Sequence, residues 1–465
     1  MARFVKQDNA GPATAPGAGG AVVLSASALH ESLADPALES MNFLNEIAGR
    51  FPHAVSFAAG RPCEKFFDID AIPTYLRRFE SYLREERGMN DAQIQRTVYQ
   101  YGRTKGIIHE VLARNLRIDE GIEVDPEAIV VTVGCQEAML LVLRALCATS
   151  LDVVFAVSPG YVGLSGAARV LEREVWPVRE TPHGIDLDHL EEQIATARAA
   201  GRRPRAVYLI PDFANPSGMS LDRERRLQLL ELAERYDLLL LEDNPYGLFR
   251  ADDGERPPTL KALDRQRRVV YLGSLAKTCF PGARVGYVVA DQRVASAGGQ
   301  GLLADELSKI KSMVSVNTSP IAQAIAAGKM LMHECSLVEA NRTEARIYRA
   351  NLRAVLDGLA SRFPNAAALG IRWNAPAGGF FIVVSLPFVV DDAALEDSAN
   401  EYGVIWTPMK HFYQDDDGGG DRQLRLSVSV LEPAQIDEGL DRLQRFVLAR
   451  LEQSAQGAFG RVNLD

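Results

Sequence analysis

Long apolar runs are missing from this sequence. Nowhere do about 18 consecutive apolar residues occur, the length that a membrane-crossing helix needs, so no membrane span is expected. Paired cysteines are missing too. The five, Cys63, Cys135, Cys147, Cys279 and Cys335, are scattered and odd in number, with no C-x-x-C pair. That excludes a disulfide scaffold and a zinc knuckle, and it fits a reducing cytoplasm. The seven histidines show no H-x-x-x-H or H-E-x-x-H spacing, so no protein metal site is expected. Basic runs interleaved with aromatics are also absent, and the net charge is −10 at pH 7. An acidic surface repels a phosphate backbone, which argues against nucleic acid as a partner. The start of the chain, MARFVKQDNAGPATAPGAGGAVVL, has no signal-peptide core. Its Gly/Ala/Pro-rich residues 8–20 read as a flexible tail outside the fold.

What is there suffices for a large core. Apolar residues make up 47 % and charged residues 24 %, the ordinary soluble profile. At 465 residues the chain exceeds one core of about 150 residues, so a large α/β domain with a smaller companion is expected. From about Glu127, apolar runs alternate with helical stretches: AIVVTVG (128–134), DVVFAVS (152–158), AVYLIP (206–211), DLLLLED (237–243), RVVYLGS (268–274) and RVGYVVA (284–290). Little period-2 alternation appears in them, as in strands buried on both faces, which implies a doubly wound, mostly parallel sheet. Helices are expected over Gln136–Thr149 and Leu221–Tyr236. A long helical region, roughly Ile321–Phe363, then leads to short strands at 370–374, 378–386, 402–408 and 423–429 and a last helix, Pro433–Ser454. The pattern reads as a small α+β domain reached by a long connecting helix, and the segment from Asn42 to Arg61 is expected to pack with it. No internal repeat is present.

Ligands of such sheets bind beyond the C-terminal strand ends, and here those ends are polar. They carry Gly134-Cys135-Gln136, Ser158-Pro159-Gly160-Tyr161, Asn215-Pro216, Asp243-Asn244-Pro245-Tyr246, and Ser274 leading to Lys277. A lysine needs about 2 kcal/mol of side-chain entropy to be immobilised, so Lys277 alone would read as a solvated loop residue. On a shared rim it joins a site. Ser274 can cap a turn or meet a phosphate, and Arg284 is a strand-edge charge or a phosphate ligand. Backbone N–H groups at Gly134-Cys135-Gln136 can hold a phosphate at a helix N-terminus. Asp243 is a helix cap or the partner of a protonated ring nitrogen. Tyr246 and Asn215 can donate to a phenolate, although Asn before Pro is also a common turn. An amine, an acid for a ring nitrogen, phenolate donors and a phosphate cradle together describe a site for pyridoxal phosphate (PLP).

The stretch GSLAKTCFPGARVGY resembles the cofactor-lysine motif of fold type I PLP enzymes, specifically the class I/II aminotransferases. In the same order come VSFAAGRP (55–62), YQYGRTKG (99–106), VTVGCQEAM (131–139), SPGYVG (158–163), IPDFANPSGMS (210–220), LEDNPYG (241–247), APAGGFFI (375–382) and LRLSVS (424–429) followed by Glu432, each similar to a motif of that family. The likeness runs from about Met41 onward and is nearest to the 2-aminoadipate/kynurenine aminotransferase branch.

The resemblance implies the following roles. Lys277 forms the internal aldimine and moves the proton between the substrate and the cofactor. Asp243 pairs with the pyridinium nitrogen, Tyr246 and Asn215 hold the phenolic oxygen, and Tyr161 stacks on the ring. Cys135, Gln136, Ser274 and Arg284 hold the phosphate, with Tyr101 arriving from the neighbouring subunit of a homodimer. Arg425 grips the substrate α-carboxylate, with Gly60 and Asn215 beside it. An amino acid and a 2-oxo acid, with glutamate and 2-oxoglutarate as co-substrate pair, exchange an amine in a ping-pong cycle. Three positions depart from the family. Cys135 stands where serine is usual, so its phosphate contact is expected through the backbone N–H. Arg61 follows Gly60 where an apolar residue is common, and reads either a polar substrate side chain or forms a structural salt bridge. Ser217 replaces threonine.

The implied fold is α/β, PLP transferase fold type I. Its expected divisions are an arm over 1–40, an N-terminal segment over 41–75, a large PLP-binding domain over 76–330 and a small domain over 331–465. Rival readings are another fold type I enzyme (a β-lyase, decarboxylase or cyclopropane-forming synthase) and a non-catalytic effector module of a transcription regulator. The latter needs an N-terminal DNA-binding domain, and only about 40 residues precede the matched region. The expected setting is cytoplasmic.

Overall fold

The structure, a computed structural model, describes residues 22–462 except 253, 255, 297–298 and 415–418. The tail expected over 8–20 therefore lies outside the described residues. Pro36–Arg50 forms a helix across the boundary drawn at residue 40.

Eight strands build the main sheet in the order Ile129–Val133, Val285–Val289, Val269–Ser274, Leu239–Asp243, Arg203–Leu209, Asp152–Ser158, Glu174–Thr181 and Gly184–Ile185. The strands from Val269–Ser274 through Glu174–Thr181 pair parallel. The strands Ile129–Val133, Asp152–Ser158, Leu239–Asp243, Val269–Ser274 and Val285–Val289 are nearly all buried, as their continuous Val/Ile/Leu runs require, whereas Glu174–Thr181, toward the edge, buries fully only Val178. Helices cover both faces. Among them Arg223–Tyr236 starts at an Asp222 cap, which accepts from the Arg225 N–H at 2.8 Å.

Strand direction decides what the rim carries. Val285–Val289 runs antiparallel to both neighbours, so it presents its beginning, not its end, at the rim. Val133 faces Val285, and Ser274 faces Gly286. Gly134, Arg284 and Ser274 thus meet at one place although 150 residues separate Gly134 from Arg284 in sequence (284 − 134 = 150).

A four-stranded antiparallel sheet lies in the C-terminal part, in the order Arg372–Trp373, Phe381–Ser385, Gln423–Ser427, Thr407–Pro408. Its core gathers Ile382, Leu424 and Leu426 from that sheet, Leu352 and Phe446 from helices Arg342–Arg362 and Pro433–Val462, and Trp406 from the link between two short strands. Val55–Ser56 joins this region by pairing parallel to Val404–Ile405.

Two expectations need correction. The region 321–363 is not one long connecting helix but three, Pro320–Met332, Leu337–Ala340 and Arg342–Arg362. The first break falls where Glu334 and Cys335 adopt left-handed backbone, with φ of 52° and 63°. The run at 402–408 is not one strand. It divides at buried Trp406, with Val404–Ile405 serving one sheet and Thr407–Pro408 the other.

Candidate active site

A cleft of about 1280 Å³ opens beyond the rim of the main sheet. Lys277, Asp243, Tyr246, Asn215, Tyr161, Cys135, Gln136, Ser274, Arg284, Arg425 and Gly60 all line it. Tyr101 does not; its side chain stands 83 % exposed on the outer surface.

Lysine burial elsewhere in the chain follows one rule. Lys105, Lys261 and Lys311 are buried, and each is ion-paired at 2.6–2.8 Å, with Asp305, Asp291 and Glu137 respectively. Lys277, half-buried in the cleft, departs from that pattern: among the described residues no carboxylate pairs with it. Its Nζ donates to the Gly60 carbonyl at 2.8 Å and lies 6.0 Å from the centre of the Tyr246 ring. Burial, reinforced by the positive charges of Arg425 and Arg284, pulls its pKa down to about 8. The amine is therefore available in neutral form near physiological pH.

Asp243 shows the converse. It is 3 % exposed, and burial raises its carboxyl to about 6 against the pull of two neutral donors, Tyr208 and Cys135. A buried carboxylate held only by neutral donors suits an incoming cation. Arg425 is 4 % exposed on the Gln423–Ser427 strand, and its guanidinium lies between the Phe381 and Phe412 rings at 4.4 and 4.8 Å. Nη1 donates to Asn215 Oδ1 at 2.6 Å, and Nη2 donates to the Ala58 carbonyl at 3.0 Å and Thr407 Oγ1 at 3.2 Å. Nε has no partner among the described residues. Burial lowers this guanidinium to about 10, which a bound carboxylate would reverse.

The third corner is an anion cradle. Gly134 opens helix Gly134–Leu146 with φ of +72°, and a Cβ there would stand 2.5 Å from Arg284 Nη2. Only glycine lets that guanidinium lie across the helix N-terminus, whose first N–H groups attract anions. Ser274 sits beside it through the Gly286 register. The Gln136 side chain points away from the cradle and donates to the Gly163 carbonyl at 2.6 Å.

An unpaired amine, a buried acid lacking a cation, an anion cradle and the aromatic walls of Tyr161 and Tyr246 match the four polar features of PLP, so the residues present fit that group. Several contributors had no sequence signal of their own. Tyr208, Thr407, Phe381 and Phe412 lie inside apolar runs or loops, and their roles appear only with strand register. Leu38, Met41 and Asn42 of helix Pro36–Arg50 also line the cleft. Arg61 sits at the mouth, largely exposed, 3.3 Å from Glu64.

Comparison with known proteins gives three findings. Residues 77–443 match the family of aminotransferases of class I and II. The (S)-3,5-dihydroxyphenylglycine transaminase of Amycolatopsis orientalis is 52 % identical over 428 residues, covering 92 % of this chain and 95 % of the relative. Two solved structures share the fold. Pyrococcus horikoshii kynurenine aminotransferase in complex with PMP is 28 % identical with a TM-score of 0.76, over 92 % of this chain and 97 % of that one. The α-aminoadipate aminotransferase of Thermus thermophilus, complexed with N-(5'-phosphopyridoxyl)-L-leucine, is 27 % identical with a TM-score of 0.73, over 92 % and 100 %.

Proposed function

The chain belongs to the class I and II aminotransferases and is a PLP-dependent transaminase of amino acids and 2-oxo acids; from that premise we propose that Lys277 is its cofactor lysine and that an amino acid bearing an aryl ring directly on its α-carbon is its substrate. The observation that carries the first part is the Lys277 amine, recessed in the cleft with no carboxylate partner among the described residues.

Bound there, PLP supplies an aldehyde for amine exchange and a ring that takes up electron density released at the substrate α-carbon. Asp243 keeps a proton on the ring nitrogen. Asn215 and Tyr246 hold the phenolic oxygen, and Tyr161 covers one ring face. Arg284, Ser274 and the N–H groups of Cys135 and Gln136 hold the phosphate. Lys277 Nζ, neutral once its proton is gone, takes the α-proton and returns it on the other side of the exchange. Arg425 fixes the α-carboxylate and so aims the α-C–H at Lys277.

The arylglycine reading rests on the relative at 52 % identity and on a substrate wall with apolar Leu38, Met41, Phe67 and Leu140 beside polar Asn42 and Arg61. Glutamate and 2-oxoglutarate complete the cycle. The working unit is a homodimer. Tyr101 is exposed together with Tyr99, Met313, Val314 and Val316, and Gly102 adjoins Asn317, so one apolar patch can be buried against a second copy while Tyr101 reaches that copy's phosphate cradle. The pairing of Val55–Ser56 with Val404–Ile405 supports grouping the segment 41–75 with a small unit (331–465), apart from a large unit (76–330). The five free cysteines support a cytoplasmic setting.

Borohydride reduction of the holoenzyme, followed by peptide mapping, tests the lysine. One phosphopyridoxyl group on Lys277 is expected, and none in Lys277→Ala. A label on any other lysine overturns the assignment.

A further inference from the structure

Asp243 is buried with no lysine, arginine or histidine paired to it among the described residues, so hydrogen-bond donors alone hold it. Tyr208 donates its hydroxyl proton to Oδ2 at 2.7 Å, and the Cys135 thiol lies 3.5 Å from Oδ1. Strand register sets the first contact. Tyr208 faces Leu241 across the ladder, and Asp243 is two residues further along on the same face. That diagonal is within reach of an aromatic side chain. The second contact comes from the first turn of helix Gly134–Leu146, which brings Cys135 to the other carboxylate oxygen. Tyr208 is 3 % exposed, and its hydroxyl has its bond to Asp243 as its side-chain contact among the described residues.

We propose that Tyr208 is a positioning residue for the transamination, anchoring Oδ2 of Asp243 so that the carboxylate keeps both its charge and its aim for the cofactor's ring nitrogen, with Cys135 as a weaker second anchor. The inference rests on the role given to Asp243 above. A thiol is a poor donor beside a phenol, so the two anchors are unequal. The tyrosine hydroxyl makes a short, charge-assisted bond in a low-dielectric place, where such bonds are strongest. Burial drives Asp243 toward protonation, and each lost donor drives it further. A neutral carboxyl would leave the ring nitrogen less protonated and the ring less able to take up electron density.

Tyr208→Phe keeps the ring and deletes only the anchor. With holoenzyme rebuilt from 15N-labelled PLP, its ring-nitrogen resonance is expected to move toward the unprotonated position. The kcat of the amino-acid half-reaction is expected to fall about tenfold, the loss typical for a hydrogen bond to a charged group, with KM unchanged within about twofold and the thermal midpoint at the parent value. Cys135→Ala carries the same test from the helix side, with the resonance moving the same way and kcat falling about two- to threefold, in keeping with a weaker donor. An unmoved resonance in both variants overturns the proposal, as does a Tyr208→Phe enzyme whose KM rises as much as its kcat falls. Asp243→Asn separates the two levels. If it too leaves the resonance unmoved, the role of Asp243 itself fails; if it moves the resonance and Tyr208→Phe does not, only the anchoring fails.

Discussion

The two walls of the cleft are built differently. One is the rim of the main sheet, where Asp243 and Ser274 stand on paired strands, Arg284 directly precedes one, and Lys277 stands in the turn three residues beyond Ser274. The other combines a helix, Pro36–Arg50, with the loop around Gly60–Phe67 and a single strand residue, Arg425. On the first wall the polar groups stand on paired strands or within three residues of one, so their chemistry is a property of the fold. On the second, only Arg425 is fixed in that way. Arg61 is largely exposed, and Leu38 and Met41 belong to a helix that packs across the surface of helix Val162–Val170. The cofactor wall is rigid because one group must meet it in one pose. The substrate wall can change side chains without disturbing that pose, and specificity resides there.

Removing Arg425 tests the contrast most severely, because it is the one residue of the substrate wall built like the cofactor wall. Arg425→Ala is expected to lower kcat/KM for amino and 2-oxo acids about a hundredfold, the scale of losing one partner of a desolvated charge pair, while leaving PLP affinity near the parent value. Arg425→Lys should recover little, because an ammonium cannot reproduce the fork held between Phe381 and Phe412. Steady-state kinetics beside cofactor titration checks both. A parent-like KM would remove Arg425 from the carboxylate and dissolve the distinction between the walls.

How much of this was legible follows from the same contrast. The rim is readable because several apolar runs end in polar residues at one edge of the sheet; within LLLLED, Glu242 accepts from the Leu260 and Lys261 N–H groups, and only Asp243 lines the cleft. Arg284 was readable as part of GSLAKTCFPGARVGY, but its arrival beside Gly134 depends on the reversed direction of its strand, which no local pattern reports. Tyr208 was hidden inside AVYLIP, where a tyrosine is an ordinary strand residue until its diagonal neighbour is known. The break between Met332 and Leu337 carries neither glycine nor proline, so its left-handed Glu334 and Cys335 gave no warning. Leu38 falls in the expected arm over 1–40, and it enters the cleft only because Pro36–Arg50 is helical and packs on Val162–Val170. Tyr101 belongs to neither wall of its own chain.

A pH series sharpens the cofactor wall from another side. Burial and two neighbouring guanidinium groups lower Lys277 to about 8, against 10.5 for a free lysine. A lowered pKa means that the neutral amine is already abundant at pH 8. Capture of PLP by the apoenzyme needs that neutral form, so its rate is expected to rise about fivefold from pH 7 to pH 8 and to level off above about pH 9, as the fraction of a group titrating near 8 requires. Stopped-flow absorbance of the bound cofactor follows it. A rate climbing about tenfold per pH unit up to pH 10 would mean a solvated lysine and would sink the argument from its missing partner.

The smallest effect addresses the substrate wall alone. Met41 packs with Val162, Met409 and Phe412 beside the cleft, so truncating it enlarges the space for a substrate side chain without touching a strand end. Met41→Ala is expected to shift the ratio of kcat/KM between an arylglycine and a bulkier aromatic amino acid about threefold in favour of the bulkier one, less than the roughly tenfold or more that a methylene commands in a closed apolar pocket, because Met41 lines an open cleft. PLP affinity and the Lys277 capture profile should stay at their parent values, since no residue of the rim leans on that side chain. Loss of cofactor binding in this variant would show that the helix supports the rim as well, and that the two walls are one structure. An unchanged ratio would place the reading of the substrate elsewhere, on Arg61 and the loop that carries it.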